Sequence, residues 1–237
     1  MSDSEPETEY ELESFEIGGR NYEITTIAYL PIELLMANRE KQTEISGQKL
    51  WCGSLGVIQH VLNNPTLVID HTVVEIGAGT GVLGMICKVT GASNVILTDH
   101  DTISINHMVA DCARNKVDAT VKRLDWYKPD ISEWDLPTTI EASKGLVLVA
   151  GDVLYKQLLI DPFFDTVLTI MQQHEHSKLF LCHIPRAGVD HPQILAKAKE
   201  VNLSIEEIPT ELWNTGDCFQ HCDPDDLCRA RLYVLKL

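Results

Sequence analysis

The sequence predicts an α/β fold, an open and mainly parallel sheet with helices packed on both faces. Three observations predict it. Short β-branched runs alternate with segments whose apolar residues recur at helical spacing. Three glycines at alternate positions, Gly77, Gly79 and Gly81, join one such run to one such segment. The 237 residues and 44% apolar content suffice for one domain of this class.

Residues 1–13 read as a disordered acidic tail, and 14–237 as a single domain that begins with a hairpin over 14–27. In that hairpin, alternating apolar residues around Phe15 and Tyr22 flank the turn Gly18-Gly19. Ile32 to Met36 reads as the start of a helix, and Glu40 to Gly47 as a loop. Leu50, Leu55, Ile58, Val61 and Leu62 follow a helical repeat that Asn63-Asn64-Pro65 stops. Val73 to Ile76 is the first strand of the sheet, and Val82 to Val89 the helix after the glycines. Asn94 to Asp99, Thr120 to Leu124, Gly145 to Ala150 and Lys178 to Cys182 are the next strands. Helices are expected over Ile103–Cys112, Leu158–Met171 and Ile194–Val201. Residues 127–144 form a surface connection, and Leu203–Ile208 with Arg229–Leu235 a closing antiparallel pair.

Glycine at the bend serves two ends. It permits backbone angles closed to other residues, and it lets the main chain approach a ligand. The spacing is not the dinucleotide pattern G-x-G-x-x-G, because the third position falls on Val82. Glu75 also stands two residues before Gly77, where its charge would repel a pyrophosphate and suit a cation. S-adenosylmethionine carries a sulfonium and an ammonium group and no phosphate. The stretch Val73 to Gly81 resembles motif I of the seven-β-strand methyltransferases, which makes Glu75, Gly77, Ala78 and Gly79 candidate cofactor contacts.

Asp99 lies 22 residues after Gly77 at the end of the next strand, where a carboxylate can accept hydrogen bonds from both ribose hydroxyls. Asp101 is better placed to cap the following helix. Asp125-Trp126 follows the third strand of the sheet, facing the adenine end of such a pocket. Trp51, at the head of its helix, is either a core anchor or a wall beside the cofactor. The fourth strand delivers Gly151, Asp152 and Tyr155 to the edge where open α/β sheets bind ligands.

Methyl transfer is an in-line displacement whose main catalytic demand is alignment. Asp152 can orient a lysine ammonium through a charge-assisted hydrogen bond, and Tyr155 can offer its ring face to that cation. D-x-x-Y is weak by itself, and a helix cap beside a packed aromatic would also account for it. Its position after the strand beside the glycine strand gives it weight.

The order Trp51, E-x-G-x-G-x-G, Asp99, Asp125-Trp126 and Asp152-x-x-Tyr155 resembles methyltransferase-like family sixteen, over roughly residues 13–237. The resemblance implies a Rossmann-like seven-β-strand methyltransferase sandwich, with strand order 3-2-1-4-5-7-6 and strand 7 antiparallel. It implies cofactor contacts at Trp51, the Gly77–Gly79 turn, Asp99, Trp126 and Gly151. It also implies a substrate-orienting role for Asp152 and Tyr155, and methylation of protein lysine. Arg186 stands where the family often has an arginine. Family members commonly have glycine where this chain has Tyr127, and alanine where it has Gly151. Histidine or small-molecule acceptors are alternatives, as is a cofactor-binding module without catalysis.

The net charge of −16 argues against nucleic-acid partners, which call for clustered Lys and Arg. No apolar run reaches the length of a membrane span, and Met1 is followed by acids, not a signal sequence. The expected form is a cytoplasmic monomer, with a nuclear location as the alternative. The seven cysteines are therefore expected to be reduced thiols, with Cys52, Cys87, Cys112 and Cys182 in the core. Cys218, His221, Cys222 and Cys228 lack the spacing of a zinc site, and no metal is expected.

Overall fold

The chain opens with a hairpin of β1 (Glu9–Ile17) and β2 (Arg20–Tyr29), and the next helix is α1 (Cys52–Asn63). Then come β3 (Thr72–Ile76), α2 (Val82–Thr90), β4 (Asn94–Asp99), α3 (Thr102–Arg114) and β5 (Thr120–Arg123). The second half holds β6 (Leu146–Gly151), α4 (Ile160–Gln173), β7 (Lys178–His183) and α5 (His191–Glu200). It closes with β8 (Ser204–Ile208), α6 (Pro224–Arg229) and β9 (Arg231–Lys236). This computed structural model describes residues 9–29, 45–132, 134, 145–186 and 188–237. The helix start expected at Ile32–Met36 lies outside the described residues, as does most of the 127–144 connection.

The sheet runs β5-β4-β3-β6-β7-β9-β8, parallel except for β9, which is antiparallel to both neighbours. With the hairpin strands set aside this is the expected 3-2-1-4-5-7-6 order. Every residue of β3 is buried, as a central strand covered on both faces requires. One apolar layer joins the hairpin, α1 and α2 to the sheet, and the other joins α4 and α5 to its opposite face. The chain leaves β3 toward β4 on one side and reaches β6 on the other. The crevice beyond the carboxyl ends of β3 and β6 is therefore the place for a ligand.

Side chains of α3 complete the outer edge of β2. Asn115 exchanges two hydrogen bonds with the backbone of Glu23, and Asp111 accepts from the N–H and the hydroxyl of Thr25. These groups stand where a neighbouring strand would, so the edge is paired. Strand β1 begins at Glu9, so the hairpin is longer than the expected 14–27 and takes in part of the acidic stretch. Helix α5 begins at His191, three residues before the expected start at Ile194, because Asp190 and Gln193 form a reciprocal capping box.

One expectation is corrected by a covalent bond. Cys52 and Cys222 form a disulfide with Cα atoms 5.3 Å apart, tying the first turn of α1 to the segment before α6. Nothing in the local pattern of either cysteine reveals a partner 170 residues away. The segment around it is also less loop-like than its composition suggests. Trp213 is fully buried there and donates its indole N–H to the carbonyl of Ile208. Among the described residues no helix is long and apolar enough to cross a membrane.

His183 ends β7 fully buried, and neither ring nitrogen has a hydrogen-bond partner. Burial, with His191 and Arg186 adding to it, lowers its pKa to about 4. An unfolded chain takes up this proton near pH 6.5, so the unfolded state binds more protons between pH 6.5 and 4. Stability from this residue is complete above that window and is lost as pH falls through it. The full loss is about 3 kcal/mol. Thermal melts of His183→Leu are expected to show a flatter fall in Tm between pH 6.5 and 4.5 than the wild type.

Candidate active site

The glycine bend turns the chain from β3 into α2 with φ of 68° at Gly77, 55° at Gly79 and 71° at Gly81. These are left-handed angles that glycine adopts without steric cost. Thr98 and Asp99 at the end of β4 hold the bend. The Thr98 carbonyl accepts from the Ala78 N–H at 2.8 Å, and Asp99 Oδ2 accepts from the Gly79 N–H at 2.9 Å. Asp99 Oδ1 takes the Asp101 N–H and also lies 3.4 Å from His100 Nδ1, while Oδ2, which takes the Gly79 N–H, keeps a further lone pair. Asp101 caps α3 by accepting from the Ser104 N–H, as expected.

These elements enclose a cavity of about 680 Å³ at the carboxyl ends of β3 and β6. Gly77, Ala78, Gly79 and Asp99 line its floor. Asp125 and Trp126 line one end, and Trp51, Gly151, Asp152 and Tyr155 the other. Ten of the eleven sequence-predicted positions thus meet in one space. Trp126 is fixed by an edge-to-face contact with Phe163 on α4, with ring centroids 5.2 Å apart. Asp125 turns one oxygen to the Tyr127 N–H.

Glu75 is the exception, and its expected position is corrected. It does not line the cavity but is buried behind it, with Oε2 accepting from the Gly84 N–H in the first turn of α2 at 2.8 Å. That turn has N–H groups without helical partners, and the carboxyl satisfies one of them. Burial pushes the Glu75 pKa up to about 8, against the pull of the Gly84 N–H. An acid two residues before the bend can serve the ligand or brace the bend, and here it braces.

The corner at Asp152 is unusually tight. Asp152 has φ of 57°, and its N–H donates to the Cys182 carbonyl of β7 at 2.8 Å. A Cβ on Gly151 would lie 2.4 Å from the Ser54 nitrogen, and one on Gly53 only 2.6 Å from the Asp152 nitrogen. Glycines on both sides let the first turn of α1 press against the end of β6, which accounts for Gly151. The helix end also places its positive pole beside Asp152.

Asp152 Oδ2 accepts from Arg186 Nη2, whereas Oδ1 is buried without a partner. Burial pushes the Asp152 carboxyl up to about 6, and Arg186 pulls it back down. The Arg186 guanidinium lies 5.6 Å from the Trp51 ring centroid and is gripped at 2.9 Å by both oxygens of Asp226.

A roof over the cavity was not foreseen. The turn Ile45–Gln48 crosses the bend, and Gly47 packs so closely that a Cβ on Gly79 would lie 2.8 Å from its carbonyl. Ser46 Oγ is 2.9 Å from the Tyr155 hydroxyl, and its carbonyl accepts from the Trp51 indole N–H at 2.6 Å. Tyr127 and Leu158, both exposed, form a lip where the Tyr127 hydroxyl donates to the Leu158 carbonyl. Asp226 and the roof were missed because neither carries a spacing that marks it.

A seven-stranded sheet of this order with a glycine-floored cavity at its switch point defines the Rossmann-like methyltransferase class. The lysine methyltransferase family model matches residues 32–195, well over half of the chain. The chain belongs to that family, methyltransferase-like family sixteen. It is 29% identical to methyltransferase-like protein 22 of Mus musculus over 178 residues, covering 66% of this chain and 43% of that one. It is 27% identical to the protein-lysine N-methyltransferase EEF2KMT of Mus musculus, covering 61% of this chain and 50% of that one. The chain thus spans about half the length of these relatives.

Among solved structures, a TehB-like SAM-dependent methyltransferase from Corynebacterium glutamicum shares the fold with a TM-score of 0.56 at 17% identity. That match covers 87% of this chain and 99% of the other. An S-adenosylmethionine-dependent methyltransferase from Clostridium acetobutylicum does so with a TM-score of 0.53 at 10% identity, covering 82% and 94%.

Proposed function

We propose that the protein is an S-adenosylmethionine-dependent protein-lysine N-methyltransferase. The observation that carries the acceptor is Asp152 itself, a buried carboxyl on the wall of the cavity that holds the glycine bend. Its Oδ1 has no partner among the described residues. A buried carboxylate oxygen without a partner is costly and calls for a donor, and a lysine ammonium is a charged donor of the right size.

The residues fit the cofactor. Asp99 would hold the ribose through its remaining lone pair, with the Gly77–Gly79 backbone below. Trp126 would stack at the purine end beside Asp125. Trp51 and Gly151 would flank the methionine end. When bound, S-adenosylmethionine supplies an electrophilic methyl group.

The chain's own residues do the rest. Asp152 would draw the ammonium in and fix its nitrogen through Oδ1. Its pKa near 6 leaves it ionised at pH 7 and narrows the gap to the amine, relative to an ordinary carboxylate. The ammonium must give up a proton before its nitrogen can attack. The Asp152 charge favours the ammonium and the apolar walls favour the neutral amine, so Asp152 would orient the nitrogen while the proton leaves to solvent. Tyr155, held by Ser46, would face the carbon chain of the lysine, and the roof excludes water. The proposed form is a monomer, in keeping with the self-repulsion of a net charge of −16.

The test is transfer of labelled methyl from the cofactor to a cell extract, with hydrolysis of the labelled protein. The expected product is methyl-lysine. Methylhistidine, or label confined to small molecules, would overturn the acceptor assignment.

A further inference from the structure

Around Asp152 the structure sets four charges in a chain. Arg186 bonds to Asp152 Oδ2, Asp226 grips Arg186 with both oxygens at 2.9 Å, and Arg229 bonds to Asp226 Oδ1 at 2.6 Å. Arg186 and Asp226 are largely shielded from solvent, whereas Arg229 is about half exposed. We infer that Arg186 and Asp226 are positioning residues. Asp226 holds the guanidinium so that it engages one oxygen of Asp152 and leaves the other bare for the acceptor ammonium. This assignment rests on the lysine-methylation reading above.

The geometry explains why two carboxylates serve one arginine. A lone Arg186 beside Asp152 would cancel its charge and repel an incoming cation at close range. With Asp226 on its far side, the group of three keeps a net negative charge, and Arg229, bonded to the outer carboxylate, acts on Asp152 more weakly than Asp226 does. The planar fork of arginine also fixes orientation, which a lysine at 186 would not. Arg186 lies on the Trp51 ring as well, so the network reaches the cavity wall as well as the carboxylate. The Cys52–Cys222 disulfide anchors the segment that carries Asp226.

Among the described residues the titratable groups that act on Asp152 or feel its charge are Arg186 after β7, Asp226 and Arg229 on α6, and the buried Cys182 thiol of β7. The first turn of α1 contributes Gly53 and Ser54, neither of which titrates. Arg186 lowers the Asp152 pKa and Asp226 raises it. The two proposed residues therefore act on Asp152 with opposite sign, and loss of transfer with the fold intact is what separates a positioning role from a structural one.

The experiment is a carboxyl titration of the full chain labelled with 13C at aspartate Cγ, with the Asp152 signal assigned by its loss in Asp152→Asn. Arg186→Gln is expected to raise the Asp152 midpoint by about one pH unit, and Asp226→Asn to lower it by several tenths. Labelled-methyl transfer to extract lysines is expected to fall at least about tenfold in each variant, with Tm nearly unchanged in the isosteric Asp226→Asn. Arg186→Lys replaces Arg186→Gln if the latter does not fold; it keeps the positive charge, and so a midpoint near that of the wild type, but lacks the fork and is expected to lose transfer. Unmoved midpoints in Arg186→Gln or Asp226→Asn, shifts of the same sign in those two, or full transfer in Arg186→Lys would overturn the assignment. A wild type that methylates no lysine would instead overturn the functional reading, while the titration still reports on the network.

Discussion

Asp152→Asn is expected to reduce methyl transfer to lysine by about 10²- to 10⁴-fold, the range set by losing a placed charge and hydrogen-bond acceptor. Cofactor affinity, read by calorimetry, is expected to stay within about threefold, because the main partners proposed for the cofactor are the glycine bend and Asp99. Asparagine matches the shape of aspartate and tolerates the left-handed backbone at this site. The same substitution is expected to stabilise the fold, and the sign depends on pH. Folding raises this carboxyl from 3.8 to about 6, so the ionised form weakens the native state above pH 6. That penalty of about 3 kcal/mol fades as pH falls from 6 to 4. Melts should therefore show Asp152→Asn above the wild type at pH 8 and level with it near pH 4. A variant that is inactive and also less stable at pH 8 would mean that Asp152 supports the fold and not the reaction.

Opening the Cys52–Cys222 bond is expected to have the largest effect on stability. It closes a loop of 170 residues, and the chain-entropy model assigns such a closure roughly 5 kcal/mol. For a chain of this length that corresponds to a fall in Tm of roughly 10 °C or more. Cys222→Ser should melt at the same lower temperature with or without dithiothreitol, whereas the wild type should drop only when the reductant is present. Equal Tm values for the oxidised wild type and Cys222→Ser would show that the bond contributes nothing. The buried thiols of Cys87 and Cys182, which burial pushes far above the usual range, offer no competing partner for exchange.

Much of the sheet and most of the cavity could be read from the chain, for a physical reason. The glycines, Asp99 and the Asp152 corner are each demanded by local backbone geometry at the end of a strand, so type and position were visible together. Glu75 was readable as important but not in its direction. A strand-end acid can face the ligand or the helix behind it, and only packing decides which. The disulfide, Asp226 and the Ile45–Gln48 turn were hidden because each acts across a long stretch of sequence. Trp213 was passed over because one apolar anchor in a polar stretch makes no periodic pattern.

The turn at Ser46 ties two rings of the cavity wall to one residue: its hydroxyl meets the Tyr155 hydroxyl and its carbonyl pins the Trp51 indole. Under the proposed reaction these are the walls of the acceptor and the donor, so any shift of these four residues would be felt on both sides together.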